Sequence, residues 1–224
     1  MAYESVDRNT PDGLARWQAA GSPPIPAVEV DGVSTLIMHV SQLAGILGLP
    51  APPMPDATRL AYDLLMVVGS WAAIVSPLPW EIVVAETPSR NRSIRNLTMN
   101  AVYPISLLPV ARDTGRFDWG LIDEDEQLAA RFETTESLAA FVRSVHDEWA
   151  AFVVAREDDL TEQDPWTEAP RGRMRYSELL SHQRWHIAFH HRQLIEFLEQ
   201  AGMSQPAATR INSSLTIKLP RTVF

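Results

Sequence analysis

The chain has 224 residues, of which 46% are hydrophobic and 21% charged, and 28 acidic against 19 basic residues give a net charge of −9. This composition is typical of a globular protein, and the length allows one large domain or a domain with a small appendage. The chain contains no cysteine, which excludes disulfides, thiolate-bound zinc, iron–sulfur clusters and a cysteine nucleophile. Its acidity argues against nucleic-acid binding, because Lys and Arg supply the affinity for phosphate.

The N-terminal sequence MAYESVDRNTPDG lacks a basic segment followed by an apolar one. We therefore expect no secretory signal and a cytoplasmic location. The longest uncharged run, residues 64–80, contains Pro77 and Pro79 and is shorter than the roughly 20 residues that a bilayer span needs. It predicts a buried helix and its exit loop, without membrane contact.

The first 50 residues predict a helix, a β-hairpin and a second helix. The segment DGLARWQAAG indicates the first helix, and extended runs at 27–30 and 34–38 flank the pair Asp31-Gly32. An Asp-Gly pair between two extended runs is the strongest short hairpin signal. The second helix is predicted at about 41–47, and the Pro-rich segment 51–56 predicts a linker to a second domain.

Four long helical patterns follow the linker, and they define a predicted domain over 57–202, with a C-terminal tail at 203–224. The patterns cover about 57–76, 93–111, 135–156 and 177–201. Suitable N-caps precede or begin them, namely Asp56, Ser93, Thr134 or Thr135, and Ser177. Pro104 and Pro109 predict a bend in the second helix. We expect the acidic stretches 123–126 and 157–168 to be solvated loops, and 214–224 to add an edge strand or cover a surface.

Four of the six histidines fall in the last helical pattern. At ~100° per residue, His182, His186 and His190 form one stripe, because each step of four residues turns by only about 40°. Leu179, Leu194 and Phe197 share this arc. We therefore expect the three histidines to face inward and His191 to be partly exposed on the reverse side.

Histidines four residues apart on a helix can chelate one metal ion, as in other HxxxH sites. Three on one stripe are too widely spaced for a single ion, because residues i and i+8 lie ~12 Å apart along the axis. One pair can bind a metal while the third serves another purpose. The spacing is equally compatible with a histidine-rich polar pocket or with partly exposed histidines.

The run WHIAFHHRQLIEFLEQAG, preceded by three further helical patterns, resembles the DinB/YfiT-like superfamily of metal-dependent four-helix proteins. His186, His190, Gln193 and Leu194 match its last-helix motif. The resemblance covers about 57–202. It implies an up-and-down four-helix bundle, a divalent metal such as Zn or Ni held by three histidines, and activities such as S-transfer or maleylpyruvate isomerisation. It also implies an exogenous low-molecular-weight thiol such as bacillithiol or mycothiol.

The chain departs from this pattern in its second long helix. Where the family places its third histidine stands Asn100, and one turn later Tyr103; neither is a good ligand for a soft metal. His146, at the edge of an apolar helix face, is the best outside candidate to complete a metal shell, ahead of His182, His39 or an acidic residue. A scaffold that has lost its metal and kept its pocket is the alternative.

The N-terminal segments SPPIPAVEVDG and STLIMHVSQLAGILG resemble the second half of a glutaredoxin or thioredoxin-like domain. In such domains a proline, which Pro26 would match, precedes a strand, a hairpin and a closing helix. The half that carries redox cysteines is missing. The resemblance implies a small cap that could bind a thiol tripeptide or cover a pocket mouth.

Three arginines surround the predicted start of the second long helix: Arg90, Arg92 and Arg95. Helix N-termini favour anions and guanidinium groups bind carboxylates, so the cluster predicts either an anion site or a solvated loop.

Trp80, Trp119 and Trp166 fall at predicted loop edges, where each is a plug on the core or a pocket wall. The chain has no phosphate-binding glycine loop and no GxSxG, which argues against nucleotide or flavin cofactors and a serine hydrolase.

Together these patterns predict a mainly α protein, an up-and-down four-helix bundle with a small N-terminal α/β subdomain. The predicted site lies between the second, third and fourth long helices and is lined by Asn100, Tyr103, His146, His182, His186 and His190. One hypothesis is an enzyme that adds, isomerises or eliminates at an electrophilic metabolite, with a metal on His186 and His190. The others are a metal-free cyclase or isomerase using Tyr103 or a histidine, and a non-catalytic binding protein. We expect a small-molecule substrate and a homodimer.

Overall fold

The computed structural model describes residues 4–8, 10–23, 26–37, 40–50, 53, 56–87, 92–119, 122–170 and 172–203. Within these residues the protein is mainly helical, with two small antiparallel sheets of two strands each. The chain divides into two compact units, Met1–Met54 and Pro55–Phe224, and the division falls inside the predicted Pro-rich linker.

The first unit contains a helix, a hairpin and a helix, which confirms the predicted order of elements. The elements are α1 (Pro11–Ala19), β1 (Ala27–Val30), β2 (Val33–Leu36) and α2 (Val40–Ile46). The Thr10 hydroxyl caps α1 by accepting from the Gly13 amide. Val30 pairs with Val33 across the turn, where Asp31 and Gly32 have φ values of 51° and 78°. Two positive φ values suit the tight turn of a two-residue hairpin, which is why an Asp-Gly pair forms it.

The second unit contains four long helices, shorter helices between them and a second hairpin. Its elements are α3 (Ala57–Val75), α4 (Trp80–Val84), α5 (Ile94–Ser106), α6 (Leu108–Thr114), α7 (Ile122–Ala129), α8 (Thr135–Ala155), α9 (Glu157–Glu162), β3 (Trp166–Ala169), β4 (Gly172–Arg175) and α10 (Tyr176–Gln200). α3 packs against α8 and α10, and α5 packs against the same two helices.

The helix starts follow the local capping chemistry in three of four cases. Asp56, Ser93 and Thr134 accept hydrogen bonds from the first turns of α3, α5 and α8, as predicted. Ser177 is not an N-cap. It lies inside α10, where the carboxylate of Asp164 accepts from both its amide and its hydroxyl, each at 2.8 Å. The Asp164 carboxylate, 13 residues earlier in the chain, therefore accepts hydrogen bonds at the start of α10, where the local sequence predicts a serine cap.

Two predicted loops contain helices, and this prediction was wrong. α7 includes residues 123–126, and α9 occupies the first part of 157–168, which β3 then enters. α9 carries Glu157, Asp158 and Asp159 in its first turn, where carboxylates interact favourably with the helix dipole. Arg156 also bridges Asp159 and Asp113. The acidic run is therefore compatible with a helix start.

The predicted bend in the second long helix is confirmed as a break. α5 ends at Ser106 two residues after Pro104, and α6 begins at Leu108 with Pro109 in its first turn. A proline ring removes one amide donor and crowds the carbonyl four residues earlier, which accounts for the interruption at Leu107. The predicted C-terminal strand at 214–224 lies outside the described residues.

α3 is long and apolar enough to cross a membrane by length and composition, but most of it is buried inside this unit. Leu60, Leu64 and Val67 are fully buried, and the indole of Trp149 on α8 donates to the Ala61 carbonyl at 3.0 Å. α3 is therefore the central core helix, in agreement with the buried helix predicted there.

Candidate functional site

The inward face of α10 determines where its histidines lie. Leu180, Ile187 and Leu194 are completely buried and mark the midline of this face. At ~100° per residue, His190 and His191 lie about 50° to either side of that midline, His186 about 90° away and His182 about 130° away. This order matches the observed burial: His190 and His191 are buried, whereas His186 and His182 are half-buried.

The prediction that His191 is partly exposed was wrong. His191 has no exposed surface, its Nε2 lies 3.0 Å from the Ser70 hydroxyl on α3, and its ring meets the edge of Trp71. His182, His186 and His190 do lie on one stripe of α10. The buried face of the helix, however, is centred on Leu180, Ile187 and Leu194 and not on that stripe, so it includes His191. Burial lowers the pKa of His191 to about 4, so the ring is neutral at neutral pH.

His186 and His190 form a direct pair, as their spacing predicts. Their Nε2 atoms are 3.1 Å apart, and the rings are nearly perpendicular. On the other side of His190, Nδ1 lies 2.6 Å from Oε1 of Gln193. An amide oxygen can only accept, so His190 Nδ1 carries a hydrogen and its Nε2 carries a lone pair directed at His186. Gln193 thus fixes both the tautomer and the orientation of His190.

Aromatic side chains surround this pair. The ring of His182 stacks parallel to that of His186 at 6.4 Å, and Trp119 meets His186 edge-on at 5.0 Å. Trp119 lies in the loop after α6, which the backbone of Phe117 and Glu168 ties to β3. The structure therefore brings together four predicted residues, His182, His186, His190 and Gln193, and adds Trp119, whose ring contacts His186.

Two chemical arrangements are consistent with the 3.1 Å separation. The first is a hydrogen bond from His186 Nε2–H to His190 Nε2, which leaves the lone pair of His186 on Nδ1. The second is chelation, because two nitrogens bound to one ion at ~2.0–2.1 Å lie ~3 Å apart. In both, the hydrogen bond to Gln193 is of the kind that orients a functional imidazole.

Two residues of the predicted site, Asn100 and Tyr103, belong to the second long helix. Asn100 is buried on α5, and Tyr103 is half-buried one turn later. α5 packs directly against α10, so both residues lie on an element next to the histidine helix. Their predicted role in binding or acid–base chemistry stays a prediction.

His146 occupies a different interface. Its ring lies beside Gly69 of α3, where an added Cβ would come within 3.3 Å of it, and its Nδ1 is 3.0 Å from the Asp147 carboxylate. These contacts belong to the packing of α8 on α3. We therefore do not place His146 in the His186–His190 pair.

The arginine cluster is only partly described, because Arg90 lies outside the described residues. Arg95 is half-buried and donates to the Phe132 carbonyl at 3.3 Å, with its guanidinium over the Trp80 ring. These contacts attach the start of α5 to the turn before α8. Arg95 therefore has a structural role, and we expect Arg95→Ala to cost stability. The predicted anion site at Arg92 and Arg95 stays a prediction.

A three-histidine metal shell is not complete among the described residues. No group of three His, Cys, Asp or Glu side chains within them comes close enough to hold an ion. His186 and His190 fit two positions of such a shell, whereas Asn100 stands in the helix that would supply the third. We therefore assign no catalytic step to a metal.

Two polar residues of the core were missed by the sequence reasoning. Gln183 lies on the inward face of α10, and Asp63 lies on α3; both are buried. Gln183 stands three residues after Leu180 and four before Ile187, a spacing that would have located it within the apolar face. Nothing in the local sequence links Asp63 to Arg184, whose Nη1 lies 2.9 Å from its carboxylate.

Two open pockets among the described residues lie away from the histidines. One of about 450 Å³ is lined by residues 154–159, and the other, about 200 Å³ and mostly apolar, lies between α4, the start of α5 and the end of α10. The site is therefore defined by side-chain geometry. The chain matches no protein-family model, and no curated protein or solved structure matches it significantly.

Proposed function

We propose that Pro55–Phe224 is a DinB/YfiT-like, up-and-down four-helix bundle. Two features support this proposal. α3 and α5 each pack against both α8 and α10, which is the neighbour relation of four helices around one core. The motif residues His186, His190, Gln193 and Leu194 also lie along one side of α10, with Gln193 and Leu194 buried.

We propose that the protein is an enzyme that transfers protons on a small electrophilic metabolite, through the His186–His190 pair. The observation that carries this proposal is the 3.1 Å contact between the two Nε2 atoms, with His190 held by Gln193 at 2.6 Å. A positioned imidazole can take a proton from one atom of a substrate and return it to another, which is the chemistry of isomerisation, addition and elimination.

The three side chains divide this work. Gln193 holds the hydrogen on His190 Nδ1, and His190 Nε2 accepts from His186, so His186 Nδ1 is the atom that takes the substrate proton. Positive charge that develops on His186 is then stabilised by His190. His186 is half-buried as a residue, but its Nδ1 is shielded from solvent, so a substrate must enter the space beside the ring to reach this atom. Tyr103 on α5 is the candidate second acid.

We expect His186→Ala and His190→Ala each to lower turnover about 100-fold, the lower end of what a general acid–base contributes. Turnover is measured on a panel of electrophilic metabolites that includes maleylpyruvate, with and without bacillithiol or mycothiol. His146→Ala is the matched control and should keep wild-type turnover, because His146 lies against Gly69. Unchanged rates in both α10 variants would refute the proposal. Saturable binding without turnover in the wild type would indicate a binding protein instead.

A metal-dependent enzyme is the second candidate, and the Nε2–Nε2 separation favours it because it suits two ligands of one ion. The ion would be Zn or Ni, on His186 and His190. Elemental analysis of protein purified without added metal or chelator tests this candidate. We expect a stoichiometric ion to be lost in His186→Ala and kept in His182→Ala. Metal that persists in His186→Ala, or metal-free wild type with full turnover, would exclude it.

A further inference from the structure

Gln183 is a fully buried amide on the inward face of α10, about 30° from its midline on the side of His190. Neither its Nε2 nor its Oε1 has a hydrogen-bond partner within the described residues, and its side chain has no exposed surface. A buried polar group without a partner destabilises a fold, and an apolar residue would suit this position better. Such an amide takes its hydrogen bonds from a buried water or from a ligand that displaces that water.

Gln183 lies next to the His186–His190 pair. Residues three apart on a helix are neighbours on its surface, and helical side chains lean toward the N-terminus, so the His186 ring lies over the turn that contains Gln183. The near-parallel rings of His182 and His186, one turn apart, lie on the same side of α10. Gln183 is also only about 20° from His190 around the helix. A group that enters beside half-buried His186 therefore meets the Gln183 amide on its inner side.

Trp119 provides a second unused donor at the same ring. Its Nε1 is buried and has no acceptor within the described residues, and its ring meets His186 at 5.0 Å. An indole nitrogen can only donate, and the amide nitrogen of Gln183 offers two further hydrogens. Two N–H donors thus border the imidazole proposed to move a proton.

Because both donors are uncharged, they favour a neutral ligand over an anionic one. Burying a carboxylate beside a neutral amide and a neutral indole is costly, because neither donor carries a charge that compensates for its lost hydration. A neutral carbonyl oxygen needs only hydrogen bonds. Two donors at a carbonyl oxygen also stabilise the negative charge that develops on it when a proton leaves the adjacent carbon.

We propose that Gln183 and Trp119 bind the carbonyl oxygen of a neutral ketone or aldehyde that carries a hydrogen on the adjacent carbon. This inference rests on the proposed acid–base function of His186 and His190. The imidazole takes that hydrogen as a proton, the C–H electron pair forms a carbon–carbon double bond, and the C=O π pair moves onto oxygen to give an enolate. Return of the proton to that carbon regenerates the carbonyl compound, and return to its opposite face inverts a stereocentre there, with no other reactant.

Cyclohexanone is a suitable probe, and cyclohexanecarboxylate is its charged counterpart. Binding is followed through the Trp119 indole N–H resonance, which is assigned by its loss in Trp119→Phe, and proton transfer through deuterium exchange at the α-carbon of cyclohexanone in D₂O. We expect cyclohexanone to shift this resonance and the carboxylate not to. Gln183→Leu should weaken cyclohexanone binding at least tenfold while raising Tm, whereas Gln200→Leu, an exposed position on the same helix, should change neither.

An unchanged Kd in Gln183→Leu, a lower Tm in that variant, or a Trp119 resonance that cyclohexanone does not move would overturn the proposal. Tighter binding of the carboxylate would also overturn it. His186→Ala separates this inference from the proposed function. Bound cyclohexanone without deuterium exchange in that variant supports both, whereas bound cyclohexanone with wild-type exchange supports the subsite and refutes the catalytic pair.

Discussion

Asp63→Ala is expected to lower the free energy of unfolding by about 3–5 kcal/mol, because it removes one partner of a buried ion pair. The Asp63 side chain is 3% exposed and that of Arg184 is 13% exposed, with 2.9 Å between Oδ2 and Nη1. Burial, only partly offset by the Asp63 carboxylate, lowers the pKa of Arg184. Without the carboxylate this guanidinium remains buried and uncompensated. Arg59, the second partner of Asp63, is half-exposed and can turn toward water.

Urea unfolding at pH 7 measures this loss. The matched control is Asp118→Ala, which breaks the exposed ion pair with Arg116 and should cost less than about 1 kcal/mol. In Asp63→Leu/Arg184→Leu both charges are replaced by apolar groups, so most of the lost stability should return. Equal decreases in the free energy of unfolding for Asp63→Ala and Asp118→Ala would show that the buried ion pair does not stabilise the packing of α3 against α10.

Because His191 is buried in its neutral form, we expect mild acid to lower the free energy of unfolding by about 3 kcal/mol in total. Burial lowers the pKa of His191 from 6.5 to about 4. The unfolded chain therefore takes up a proton at this residue before the folded chain does. The stabilisation is complete above pH 6.5 and is lost as the pH falls toward 4. Below pH 4 both states are protonated and this residue contributes no further loss.

His191→Gln isolates this contribution, because the amide is neutral at all pH values and can still reach Ser70. Urea unfolding of both proteins at pH 7 and pH 4.5 gives the comparison. The wild type should lose about 2 kcal/mol more than the variant between these two pH values. His146→Gln, which changes a half-exposed ring, should retain the wild-type pH dependence. A wild type and His191→Gln with parallel pH profiles would contradict a neutral, buried His191.

The candidate site was largely predictable because α10 is regular. The 40° drift between residues four apart places His182, His186 and His190 in one stripe in any helix, and the pair and its Gln193 contact follow from that local geometry. The face that the stripe presents to the core is not a local property. It depends on where α3 and α5 pack, which is why His191 was assigned to the wrong side.

Short-range chemistry in the sequence determined the elements themselves. The Asp31-Gly32 turn, the caps at Asp56, Ser93 and Thr134, and the break after Pro104 each depend on atoms within a few residues of one another. These interactions form in almost the same way wherever the segment lies in the fold.

The tertiary structure alone decided the contacts that join distant segments. Asp164 accepts from the amide and hydroxyl of Ser177 at the start of α10, Asp63 meets Arg184 across 121 positions, and Trp119 is brought to His186 by a loop attached to β3. Such contacts depend on the mutual packing of whole helices, which the periodicity of any one segment does not encode. The orientation of the histidine face and the burial of Gln183 and His191 arise from that packing.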